Sequence, residues 1–75
     1  MKKDITQLQQ KQKGIVVEIL GGCGLQKKLD AMGIRIGVEI VKVSLPSFKG
    51  PVVISVGNSQ VALGYGMAKK IIVEV

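Results

Sequence analysis

Residues 1–13 are polar almost throughout, and the first sustained apolar pattern begins at Gly14. Ile5 and Leu8 interrupt a run of lysines and glutamines. The segment reads as a partly disordered lead-in whose two apolar side chains are the anchors able to dock on a core. From Gly14 the chain reads GIVVEIL. Alternation places Ile15, Val17 and Ile19 on one pleat face and Val16, Glu18 and Leu20 on the other, which predicts a strand.

The period then changes. In GGCGLQKKLDAMG, Leu25, Leu29 and Met32 fall at i, i+4 and i+7, with Gln26, Lys27, Lys28 and Asp30 elsewhere around the turn. This predicts a helix of about two turns, too short to persist without a core to pack on. Gly33 stands where a left-handed residue ends a helix, and Ile34 where it packs back on Leu29. In the following VEIVKVSL, Glu39 and Lys42 cannot share a face of a regular strand, so a bulge near Ile40 and Val41 is expected to put both outside.

PSFKGP is a turn cluster, after which Val52, Ile54 and Val56 alternate with Val53 and Ser55. Gly57 and Asn58 form a tight hairpin into a short strand marked by Val61 and Leu63. GYGMAKK makes a single turn, and IIVEV closes the chain with Ile71, Val73 and Val75 facing in. About five short strands and one helix between the first two bury only one side of a sheet. Curling encloses that side and removes exposed edges, so the fold is expected to be mainly β, a small SH3-like barrel over 14–75 behind the lead-in 1–13.

Composition agrees: 47% of the 75 residues are hydrophobic, the weight lying on Val and Ile rather than aromatics, which favours strands. A formal charge of +6 would draw the chain to nucleic acid, an anionic membrane surface or an acidic protein face. The single cysteine cannot make an internal disulfide, so a reducing compartment is expected, and with it a cytoplasmic location. Polar residues occupy the place of a signal peptide's apolar stretch. Apolar runs are cut by Glu18, Lys42, Ser55 and Gly57, short of the ~18 residues that a membrane span requires.

The chain has no histidine, and Asp4, Glu18, Asp30, Glu39 and Glu74 are scattered, so neither a general base nor a carboxylate pair is evident. Cys23 has only lysines as prospective bases and reads as a small packing residue. No enzyme activity and no cofactor are expected. The glycine cluster fits neither a Walker loop nor a dinucleotide fingerprint, because Gln26 or Lys27 stands where each needs glycine. It reads as a strand-to-helix corner with a basic outer face.

Cys23 with Asp30 or Glu18 lacks the imidazoles favoured by Fe(II), zinc or copper, which rules against a strong protein-only metal site. A weak or partner-completed transition-metal site stays open. Phe48 and Tyr65 stand in separate turns and offer no stacking platform, so no nucleic acid is expected as partner. A basic small barrel that binds nucleic acid nevertheless remains the alternative reading, with an affinity falling steeply in salt.

The combined pattern "GL..KL..MGI..G" followed by "F.GPV...V....VALG...A..I.VEV" resembles the FeoA family of ferrous iron transport proteins, from about Gly14 to Val75. Similar SH3-like domains occur at the carboxyl end of iron-dependent repressors. The resemblance implies a cytosolic accessory of ferrous iron uptake that docks on the cytoplasmic part of a FeoB-type iron permease, and a loose association with transition-metal binding. This chain departs from the family at Ile36, where proline is common, at Cys23, and in its longer lead-in.

A barrel lacking a nucleotide motif and an iron cage has to act by contact. The first candidate surface is the outer side of the helix and its exit: Lys27, Lys28 and Arg35, with Leu25 and Met32 at its margin, since charges flanking apolar residues suit a modest interface. The second is the loop of Leu45, Phe48 and Lys49. Self-association through an open strand edge also stays open.

Overall fold

Antiparallel pairing links six strands in the order β1-β6-β2-β3-β4-β5 in a computed structural model that describes residues 1–44 and 50–75. The strands are β1 (Lys2–Asp4), β2 (Lys13–Ile19), β3 (Glu39–Lys42), β4 (Val52–Val56), β5 (Ser59–Leu63) and β6 (Ile71–Glu74). A 3-10 turn, Ile5–Gln7, follows β1; helix α1 (Cys23–Ala31) lies between β2 and β3, and α2 (Tyr65–Ala68) is the single turn before β6. The fold is mainly β and SH3-like, but β1 and β5 end the sheet without pairing to each other, so among the described residues hydrogen bonds do not close it into the expected barrel.

The lead-in supplies the strand beyond the expected five. β1 pairs with β6, and Asp4 then caps the 3-10 turn, accepting from the Thr6 amide at 2.8 Å while Gln7 Oε1 accepts from the Asp4 amide at 3.0 Å. This reciprocal box fixes the direction of the next turn. Ile5 and Leu8 consequently end fully buried among Val16, Leu29, Ile40, Ile54, Leu63, Ile71 and Val73.

β2 does not keep one alternation throughout. Val16 is buried and Ile15 is 38% exposed, and beyond them the register against β6 steps from Val16↔Val73 to Glu18↔Ile72, leaving Val17 as an extra residue. Without this bulge Glu18 would share the inward face of Val16. With it Glu18 turns to solvent, and Ile19 packs against the core. The run IVV is apolar on both faces, so alternation alone does not choose between them.

β3, where a bulge was expected, is regular. Ile40 and Lys42 face the same way, and Lys42 is 2% exposed rather than outside. Its ammonium donates to the carbonyls of Leu8 at 2.8 Å and Thr6 at 3.3 Å, tying the β1 segment to the centre of the sheet. Burial pushes its pKa down, opposed to a smaller degree by the charge of Asp4. In β6, Ile71 and Val73 are buried as expected, whereas Val75 is 39% exposed at its end.

Two glycines explain close approaches. Gly33 has φ +86°, its amide donates to Asp30 O and that of Ile34 to Leu29 O, the paired bonds of a Schellman ending, with Leu29 and Ile34 both in the core. Gly14 lies where β2 crosses Val73, and a Cβ there would meet the Val73 Cβ and Cγ2 at 2.9 Å. Val73 is β-branched and held in a ladder, so it has little room to yield. Gly14→Ala is expected to destabilise by about 1–3 kcal/mol, read as a lower urea midpoint. An unchanged midpoint would mean that β2 and β6 separate freely.

Candidate functional site

α1 begins where Gly21 lets the chain fold back: a Cβ at Gly21 would lie 2.5 Å from Leu25 Cδ2. The corner reading of the glycine cluster holds, with Leu25 lying close over Gly21 and open space beside Gly22 and Gly24. Cys23, the first residue of the helix, is exposed and free, so it does not fill the packing role expected of it. Among the described residues, no three of His, Cys, Asp and Glu converge as a metal-binding group, and no helix is long and apolar enough to cross a membrane.

The inner side of α1 is Leu29, fully buried, with Leu25 and Met32 half-buried against the core. These two are thus shared between the interior and the margin of the surface. Lys27 and Lys28 are exposed, and so is Arg35, whose guanidinium pairs with the Asp30 carboxylate across the helix exit. Such an exposed pair adds little stability. It does hold the exit loop against the helix and partly neutralises Arg35. The loop candidates Leu45, Phe48 and Lys49 lie outside the described residues.

The exit also carries Ile36, which lies outside the surface expected from the sequence. Ile36 is 67% exposed, beside an open groove of about 310 Å³ lined by Ile19, Gln26, Asp30, Ile34, Arg35 and Ile36. Leu20, next in chain to Ile19, is 46% exposed, and its amide donates to Lys70 O at 2.7 Å. Ile36 was legible in principle: an isoleucine between Arg35 and Gly37 in a short turn has no strand face to join. Tyr65, on the turn before β6, is half-buried with Lys69 Nζ 5.8 Å from its ring centroid, a cation–π contact.

The groove is lined by apolar Ile19, Ile34 and the exposed Ile36 and by polar Gln26, Asp30 and Arg35, while Lys27 and Lys28 stand exposed between Gln26 and Asp30 on α1. It is chemically suited to holding an apolar side chain of a partner within a basic surround.

Comparison with known proteins relates the whole chain to a family. The family model described as the FeoA domain matches residues 3–75. A protein of Methanocaldococcus jannaschii named putative Fe(2+) transport protein A is 43% identical over 60 residues, covering 80% of this chain and 71% of that protein. A crystal structure of an iron uptake regulatory protein (FeoA) superposes with a TM-score of 0.92 at 36% identity, covering 99% of this chain and 97% of the other. A manganese-dependent transcriptional repressor shares the fold over 96% of this chain and 40% of its own, with a TM-score of 0.85 at 18% identity.

Proposed function

This chain belongs to the FeoA domain family, and on that premise we propose that it serves ferrous iron uptake as a non-catalytic cytoplasmic accessory, docking on the cytoplasmic part of a FeoB-type iron permease. The observation that carries the reading is the exposed Ile36 lining the groove, next in chain to Arg35, with Lys27 and Lys28 exposed on the helix whose Gln26 and Asp30 line the same groove. A side chain this exposed contributes little to folding, whereas burial of a large aliphatic group against a partner is worth about 1.5–3 kcal/mol. The surrounding positive charge favours an acidic rim on the permease and speeds encounter.

The test is ferrous iron uptake in cells that depend on this chain, carrying Ile36→Asp alone or with Lys27→Glu and Lys28→Glu. Each residue is exposed, so the thermal midpoint is expected to stay near that of the native chain. Uptake is expected to fall at least about tenfold with the triple change, equivalent to ~1.4 kcal/mol of lost docking. Native uptake in a folded triple variant would remove this surface from the mechanism.

A further inference from the structure

Among the described residues, β5 ends the sheet and pairs with β4 alone. Gly57 and Asn58 form a two-residue hairpin, with Val56 opposite Ser59 as the first pair. Antiparallel alternation then turns the backbone groups of Val61 and Leu63 toward β4 and those of Gln60 and Ala62 off the edge. The same alternation turns Val53 toward the β3 side, and its carbonyl indeed accepts from the Val43 amide at 2.8 Å. Among the described residues, no group pairs with the backbone N–H or C=O of Gln60 or Ala62, and both side chains are exposed.

Edges of this kind are ordinarily blunted by charge, proline or a bulge. β5 has none of these. Its sequence SQVAL contains no charged residue in a chain with 11 Lys and Arg, and its register against β4 is unbroken.

We propose that this edge is an interaction surface for a second copy of the chain, the two β5 strands pairing antiparallel about a two-fold axis at Val61. That register sets Gln60 opposite the partner's Ala62, and Ala62 opposite the partner's Gln60, so both outward residues exchange backbone hydrogen bonds in reciprocal pairs. The facing side chains are one long and one small, with no like charges opposed. Two copies that each carry +6 repel one another, and the uncharged edge is where they approach at least cost. Pairing therefore strengthens as salt screens that repulsion, opposite to the salt response of an acidic partner held by charge.

Sedimentation equilibrium of the full chain, from micromolar to millimolar concentration at low and high salt, tests this. The mass is expected to rise from 8.0 kDa toward twice that value, more completely at high salt, while amide exchange at Gln60 and Ala62 slows with concentration. Ala62→Pro removes an outward N–H, as edge strands tolerate, and is expected to remain monomeric. Ala62→Lys adds a charge on the exposed side and is expected to do the same should the proline variant not fold. A monomer at every concentration overturns the pairing and leaves the edge to a strand of another protein. A dimer that survives in a folded Ala62 variant, or that weakens with salt, overturns it equally.

Discussion

Replacing Ile5 and Leu8 together by alanine is expected to leave the domain at the edge of unfolding at room temperature. Both side chains are essentially inaccessible, at 0% and 1% exposure, although they belong to the most polar stretch of the chain. Truncating a buried Leu or Ile costs about 2–5 kcal/mol, because the lost transfer energy is joined by the cavity left behind. Two such losses compare with a total of about 5–15 kcal/mol for a whole domain. The loss is also expected to spread: β1 and its capped turn lie over β6 and α2, so that edge of the core opens with them. Urea denaturation followed by circular dichroism measures the change. A midpoint close to the native one would show that the segment is an ornament on a core complete without it.

Lys42→Ala is expected to be the second most damaging change, by about 3–5 kcal/mol. It removes the aliphatic stem from the core and leaves the buried Leu8 carbonyl without its 2.8 Å donor. Lys42→Met separates these effects, since it fills the space while removing the charge and its hydrogen bonds, so it keeps the packing and retains only the cost of the unpaired Leu8 carbonyl. The pH response has a definite sign. Because burial lowers the Lys42 pKa in the folded state, the unfolded chain holds more protons between the folded value and the ordinary lysine value. Stability due to Lys42 therefore rises with pH across that window, and the full burial penalty applies below it. The stability of the native chain relative to Lys42→Met should thus increase from neutral into alkaline solution. The opposite slope would mean that the two carbonyls and Asp4 favour the ammonium more than burial opposes it.

Lys42 also shows where the sequence stopped being readable. A lysine three residues after Glu39 has to lie on the other face of a regular strand, and a bulge that ejected it was the less costly assumption. The assumption fails because its donor groups meet two carbonyls in the turn after β1, some 34 to 36 positions away in the chain, a juxtaposition no local pattern announces. The lead-in fails for the same reason. DITQ carries a readable capping signature, but only pairing with β6 turns that signature into core packing. Where the signals are local the outcome differs: Leu29, Gly33 and Ile34 end α1 as their spacing predicts, and Gly57 and Asn58 turn the chain between β4 and β5.

The candidate surface follows the same division. Exposure of Lys27 and Lys28 follows from helix periodicity, whereas Arg35 is exposed beyond the end of the helix, where it pairs with Asp30, and Leu25 and Met32 are half-buried against the core. The groove beside Ile36 arises from the end of β2 meeting the exit of α1, which are distant in sequence, so neither segment alone reveals it.

The claim on which the functional account rests is that the chain acts by touching a permease with the α1 exit. Its most direct measurement is capture of a FeoB-type permease from detergent-solubilised membranes by the immobilised native chain, beside the Ile36→Asp, Lys27→Glu, Lys28→Glu variant. The account predicts that the native chain retains the permease and the folded variant does not. Equal retention by both, or by neither at concentrations far above those in the cell, would contradict it.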